Sequence, residues 1–237
     1  MIGAIIQARA GSTRFPKKIF EDIEGTSCLE RVCHGVAKSN LLHRVVLAMP
    51  REDEEVLQRE VLGGELFTNP PLRQMEEVVE RLRVDAVYFG DEKNVLSRYY
   101  EASKHYGLDT IVRITADCPL IRADVIDCML KNYLKRPHLH DVVVQNIAHD
   151  SPEEIRHISG FDVQIFKWWM LADAYSKANK NEELEHVTPY MFEKFGVYNV
   201  TEVFHMEDMV DFKGYTHLSF DSKKDLNNII GYIKSGA

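Results

Sequence analysis

No apolar run in this 237-residue sequence approaches the ~20 residues needed to span a bilayer. The opening Met1-Ile2-Gly3-Ala4-Ile5-Ile6 also lacks the charged stretch that begins a secretory leader, so a cytoplasmic protein with no membrane contact is expected. Cysteine is scarce. Cys28, Cys33, Cys118 and Cys128 form no C-x-x-C pair and sit among apolar residues, which points to reduced thiols and no disulfide. A basic surplus is missing too: 29 Lys and Arg against 37 Asp and Glu leave a net charge of -8, which argues against a general nucleic-acid binder. Neither G-x-x-x-x-G-K-[ST] nor a G-x-G-x-x-G after the first strand occurs, so the P-loop and dinucleotide readings lose ground. Internal repeats and low-complexity segments are absent. The densest histidine cluster, His138-Leu139-His140-Asp141, lies beside Pro137 and reads as a surface turn rather than a metal site.

What is present is enough apolar content, 45%, for the core of a single domain over residues 1–237. β-branched runs recur at 3–8, 45–49, 86–89, 110–114, 141–145, 161–166, 198–204 and 215–220. Amphipathic helical spacing covers 28–39, 53–62, 72–83, 92–106, 123–135, 168–179 and 222–234. This alternation predicts an α/β fold: a doubly wound, mostly parallel sheet with helices on both faces and a ligand crevice at the carboxyl ends of the strands. Two stretches break the pattern, the polar segment 146–160 and residues 181–195, so a small excursion is expected at about 146–200.

The most informative segment follows the first strand. Residues 9–18 contain Arg9, Arg14, Lys17 and Lys18 and no acid, inside an acidic chain. Gly11, Ser12 and Thr13 are small enough to leave backbone N–H groups open to a phosphate, and the four cations supply fixed positive charge. Residue types alone leave two readings, a phosphate-binding loop or a solvated basic turn.

Q-A-R-x-G-S-T-R-x-P-x-K over residues 7–18 resembles the opening motif of bacterial sugar cytidylyltransferases. The nearest branch is that of spore coat polysaccharide biosynthesis protein F, within the acylneuraminate and Kdo cytidylyltransferase superfamily. Further matches run in order along the chain at 94–100, 112–121 (Val-Arg-Ile-Thr-Ala-Asp-Cys-Pro-Leu-Ile), 160–164, 185–190 and 218–226. The resemblance implies a GT-A-like fold that uses CTP and Mg2+ to transfer CMP to a sugar or nonulosonic acid for surface polysaccharide biosynthesis. It also implies a homodimer, with residues 140–200 as the contact. Carried over by position, Arg9 and Lys18 contact the triphosphate with Arg14 assisting, and Ala8, Gly11, Ser12, Gly90 and Arg113 complete the nucleotide site. Asp117 and Asp221 hold the metal, with Asp117 counted beside Arg9 and Lys18 as catalytic, while Asp162, His186 and Thr188 face the acceptor. The sequence departs from the family pattern at Ser222-Lys223-Lys224, where Thr-Pro-Glu is customary, and at Lys17, where glycine is usual. An arginine often precedes the glycine at Phe89-Gly90-Asp91, and residues 63–84 form a longer connection than usual.

Each assignment has a structural counterpart. Asp117 is also placed to cap the turn before Cys118-Pro119, and Asp221 or Ser222 to cap the following helix. Asp162 reads equally as a solvated strand residue, and for Arg98 and Tyr99 a salt bridge and a packed ring stand level with a binding role. Arg113, four residues before Asp117, is expected to share its face. Two other functions have the same architecture, a metal-dependent GT-A glycosyltransferase and a catalytically silent nucleotide-binding subunit. Thr115, two before Asp117, replaces the first acid of the D-x-D that a glycosyltransferase usually needs.

Overall fold

The computed structural model describes residues 1–12, 15–63, 71–146, 159–199, 211, 215 and 217–236, the side chains of 71–73 and 199 excepted. Seven strands among them, β1 Ile2–Gln7, β2 Arg44–Pro50, β3 Ala86–Gly90, β4 Thr110–Thr115, β5 Val143–Gln145, β6 Gln164–Lys167 and β7 Val197–Asn199, form one sheet in the order β3-β2-β1-β4-β6-β5-β7. All neighbours are parallel except β6, which runs antiparallel to both β4 and β5. The helices are α1 Cys28–Ala37, α2 Glu54–Leu62, α3 Pro71–Leu82, α4 Val95–Tyr106, α5 Ala123–Lys135, α6 Trp168–Lys177, α7 Asn181–His186, α8 Pro189–Phe195 and α9 Lys223–Lys234.

The central strands read as unbroken apolar runs because both faces are covered. On β1, Ala4 and Ile6 enter a core shared with α1, α5 and α9, while Ile5 points the other way against α4, α6 and α8. β4 repeats the division, with Val112 and Ile114 on the first side and Ile111 on the second. Tyr99 ties α4 beneath the middle of the sheet: its buried hydroxyl donates to the carbonyls of Ile5 at 3.1 Å and Ile114 at 3.4 Å. Burial pushes its phenol up to about 12, so the group remains a donor. The strand order reverses between β1 and β4, and the loops that follow these two neighbours open at the same edge. An open α/β sheet takes its ligand at this switch point.

Local signals set the helix starts. Ser27 caps α1 by accepting from the Glu30 amide at 3.2 Å, and the Glu30 carboxylate accepts from the Ser27 amide at 3.0 Å, a reciprocal capping box. Ser27→Ala is expected to cost about 1 kcal/mol in urea unfolding, since the Glu30 amide loses its acceptor. Unchanged stability would show that water replaces the box without loss.

Several boundaries differ from the sequence pattern. The helix expected at 92–106 begins at Val95, capped by the Asn94 side chain, which accepts from the Ser97 amide at 2.9 Å. Residues 181–195 split into α7 and α8 at Val187, whose φ of 71° turns the chain before Pro189 restarts a helix. Where a strand was expected at 215–220, the described residues form one bridge, Ser159 with His217. Most of the polar segment 146–160 and of the strand placed at 198–204 lies outside the described residues. His138 and His140 lie in a 3-10 turn, where His140 stacks against Tyr133. All four cysteines are free thiols.

Candidate active site

The loop after β1 is shaped by its own backbone. The Ala10 amide donates to Asp53 at 2.7 Å, and the Ala10 carbonyl accepts from the Lys17 amide at 2.9 Å. Lys17 has φ 58°, the left-handed region, which explains why glycine is the usual residue there. Its ammonium reaches away to Glu60 at 2.7 Å. The turn thereby sends Lys18 inward, into a cavity of about 310 Å3 at the switch point.

Lys18 is where three distant parts of the chain meet. Its Nζ donates to Asp117 Oδ2 at 3.5 Å, Asp221 Oδ1 at 3.1 Å and the Phe220 carbonyl at 2.7 Å. Two carboxylates thus lie within bonding distance of one nitrogen. Asp117 stands in the turn after β4, and the Phe220 amide donates to its carbonyl at 2.8 Å, so the segment before α9 is fastened directly to the end of β4. Phe15 and Phe220 pack edge to face at 5.4 Å and add an apolar clasp between that segment and the loop.

Capping does not account for either aspartate. Ser222 caps α9 by accepting from the Asp225 amide at 3.5 Å, and Asp225 accepts in turn from the Ser222 hydroxyl at 2.8 Å and the Asp221 amide at 3.1 Å. The Asp221 side chain is left to Lys18 and, at 4.0 Å, to His217. The Asp117 carboxylate meets Lys18 and the weak thiol donor of Cys118, and it caps no backbone amide among the described residues.

Gly160 supports this construction from below. Its φ is 116°, and a Cβ there would stand 2.6 Å from the Leu218 carbonyl carbon and oxygen. Gly160→Ala is expected to destabilise the protein by about 1–3 kcal/mol and to lower turnover, because Leu218 carries the segment that ends in Asp221. Urea unfolding and kcat together check it, and native values for both would remove Gly160 from the support.

The remaining predicted residues divide clearly. Ala8, Arg9, Ser12, Lys18, Arg113, Asp117, His186 and Asp221 line the cavity. Arg9 pairs with Glu185 of α7 at 3.7 Å across its mouth. Arg113 points in from β4, but its guanidinium bonds the Gln164 side-chain carbonyl at 2.9 Å and that of Gln7 at 3.2 Å, not Asp117, which lies beyond the end of the strand. Gly11 is exposed on the loop, outside the cavity lining. Thr188 is buried behind the wall, where its hydroxyl donates to Gln164 at 3.4 Å. Asp162 also stands back from the lining, with its Oδ2 accepting from the Cys118 thiol at 3.8 Å. Gly90 ends β3 against the stem of Arg98 rather than in the cavity. Arg14 lies outside the described residues.

Gln7 lines the cavity without an assigned role in the sequence reading, and so do Arg98, for which a binding role and a salt bridge stood equal, and Glu185, from a stretch the resemblance puts near the sugar site or the dimer contact. Gln7 opens the motif of the basic loop, and Glu185 adjoins His186, so their positions were the available signal. Burial pushes the Cys118 thiol well above its ordinary range, with Asp162 and Asp117 adding to the effect. Cys28, whose thiol donates to the Ala116 carbonyl at 3.2 Å, is pushed up in the same way. Neither supplies a thiolate nucleophile. The arrangement suits transfer of a phosphoryl group between two bound reactants: cations for a polyphosphate, paired carboxylates for a hard metal ion, and a polar floor.

The residues fit such an ion. Among the described residues no group of three or more His, Cys, Asp or Glu is placed to hold a metal. Two carboxylates beside a phosphate site are nonetheless what Mg2+ commonly uses, the other positions going to phosphate oxygens and water. The Lys18 ammonium between Asp117 and Asp221 marks where positive charge is favoured.

Comparison with known proteins bears on the family and the fold. A family model described as Cytidylyltransferase matches residues 3–83 and 73–229. The chain is 32% identical over 205 residues to an uncharacterized protein of Methanocaldococcus jannaschii, covering 86% of this chain and 70% of the relative. It is 23% identical over 239 residues to spore coat polysaccharide biosynthesis protein SpsF of Bacillus subtilis, covering 98% and 86%. Its fold is similar to a solved cytidylyltransferase from Leptospira borgpetersenii, with TM-score 0.75, 26% identity and coverage of 99% of this chain and 87% of that one.

Proposed function

This chain belongs to the cytidylyltransferase family and is a nucleotidyltransferase, and we propose that it transfers CMP from CTP to a sugar or sugar acid, releasing pyrophosphate, for a surface polysaccharide. In this reaction an acceptor oxygen forms a bond to the α-phosphorus of CTP while the bond from that phosphorus to the β-phosphate oxygen breaks. The acceptor proton leaves to solvent or a base. Charge builds up on the attacked phosphate and on the leaving pyrophosphate, so fixed cations carry most of the catalysis.

The observation that carries the reading is the convergence of Lys18, Asp117 and Asp221 beside the loop at residues 8–12. Lys18 and Arg9 are positioned to bind the phosphates, and Lys18 to stabilise the departing pyrophosphate. Arg9 must exchange Glu185 for phosphate oxygen, which its exposed position permits. Asp117 and Asp221 would hold Mg2+. When bound, the ion supplies Lewis-acid neutralisation of phosphate charge. His186, at the cavity's edge, and Arg113, on its polar floor, belong to the half left for the acceptor and the remainder of the nucleotide. Asp162 and Thr188 act from behind that floor. A homodimer through residues 140–200 is part of the same reading, supported by Trp169 and Tyr175, which project from α6 at 44% and 41% exposure.

The test is a screen of the four ribonucleoside triphosphates against sugars, sugar phosphates and nonulosonic acids with Mg2+, following pyrophosphate release and the CMP-linked product. Release with CTP and one acceptor class is expected. Consumption of a nucleotide sugar instead, or binding of nucleotide without turnover across the acceptor set, would overturn the proposal.

A further inference from the structure

Arg98 lies in the first half of α4, is 1% exposed, and still forms part of the cavity wall. Its Nη1 makes one long contact, donating to the Ala8 carbonyl at 3.5 Å, while Nε and Nη2 have no hydrogen-bond partner and no described residue forms an ion pair with it. The acids that act on it from farther off are already engaged. Asp53 accepts from the Ala10 amide at 2.7 Å, and Asp91 from the Lys93 and Asn94 amides at 2.8 and 2.7 Å. Burial above all, and then the like charge of Arg9, hold its guanidinium below the ordinary arginine range.

The fold makes room for this side chain. A Cβ on Gly90 would stand 2.7 Å from Arg98 Cγ, so the last residue of β3 leaves space for the arginine stem. That stem carries the guanidinium beneath the residue preceding Arg9. Lys18 has two carboxylates and Arg9 has Glu185, while Arg113, which also has no ion pair among the described residues, has two glutamine carbonyls on its guanidinium where Arg98 has one long backbone contact. A buried cation with no counter-charge opposes folding, and a ligand anion offsets that cost.

We propose that Arg98 is a binding residue for the phosphate chain of the nucleotide, set beside Arg9 so that the two guanidinium groups converge on one polyanion. A neutral base would offset neither charge, whereas a phosphate accepts from both forks. The inference rests on reading the cavity as a nucleotide site and adds a residue from α4 to it.

The experiment compares the unaltered protein with Arg98→Met by titration calorimetry against tripolyphosphate, CTP and cytidine, and by thermal unfolding without ligand. The variant is expected to lose at least about tenfold in affinity for tripolyphosphate and CTP and to bind cytidine as before. Its ligand-free Tm is expected to rise by about 2–4 °C, since an apolar side chain replaces an uncompensated charge. An arginine with only a structural role would lower Tm and leave tripolyphosphate binding in place. If Arg98→Met does not fold, Arg98→Gln, which removes the charge and keeps a polar side chain, is titrated the same way. Unchanged tripolyphosphate affinity in a folded variant, a loss confined to cytidine, or no tripolyphosphate binding by the unaltered protein would each overturn the inference. None of these titrations depends on turnover. A failed transferase assay therefore leaves the Arg98 result standing, and a failed titration leaves the transferase proposal standing.

Discussion

Lys18→Ala is expected to reduce kcat by about 100- to 1,000-fold, equivalent to about 2.7–4 kcal/mol of transition-state stabilisation, with thermal unfolding little changed. The loss is expected in turnover because Lys18 is proposed to face charge that grows as the pyrophosphate leaves, and an interaction that strengthens along the reaction appears in kcat rather than in substrate affinity. The fold is expected to survive. The lysine's neighbours Asp117 and Asp221 are part exposed, with side-chain exposures of 33% and 38%, so water solvates them once the ammonium has gone. The same variant should bind Mg2+ more tightly without nucleotide, because two carboxylates lose their shared counter-ion. A titration showing tighter metal binding alongside collapsed turnover separates removal of an electrophilic group from general damage. Turnover like that of the unaltered protein would remove Lys18 from the mechanism.

Asp221→Asn is the second large effect. The substitution keeps size and hydrogen bonding but removes one of the two charges proposed to hold the metal, and apparent Mg2+ affinity is expected to fall by at least about 10- to 100-fold, since even groups that only support a metal ligand have effects of that size. Activity should fall correspondingly at low metal and recover in part as Mg2+ is raised. Stability at neutral pH should be nearly unchanged, because Ser222 rather than Asp221 caps α9. Asp117→Asn is expected to behave likewise. A Mg2+ dependence identical to that of the unaltered protein in both variants would refute the two-carboxylate site.

The parts of this molecule legible from sequence were those written in local pattern. β1 and the loop after it could be placed because an apolar run covered on both faces, followed by small and cationic residues, has few other structures open to it. The break at Val187 was not anticipated within the helical pattern of 181–195, because Pro189 suits a first helical turn without placing the break, and Thr188 itself keeps helical backbone angles. The apolar alternation around 215–220 misled, because Leu218 and Phe220 are buried while the described residues there form one bridge and no ladder. Colinear motifs indicated that Lys18, Asp117 and Asp221 belong together, but not that one ammonium touches both acids, because the pairs stand 99 and 203 residues apart. Arg98 was the hardest to read. In sequence a salt bridge and a binding role stood equal, and only the space left by Gly90 shows the side chain brought inside without a carboxylate.

The bond from the Phe220 amide to the Asp117 carbonyl has a consequence for how the protein is made. The loop after β1 and Asp117 leave the ribosome well before Asp221. Until residues 217–221 dock against the turn after β4, the nascent polypeptide has only one of the two acids, and a product cut short before that point lacks Asp221 altogether. The carboxylate pair is thus a late product of folding, complete only when two segments far apart in sequence have docked.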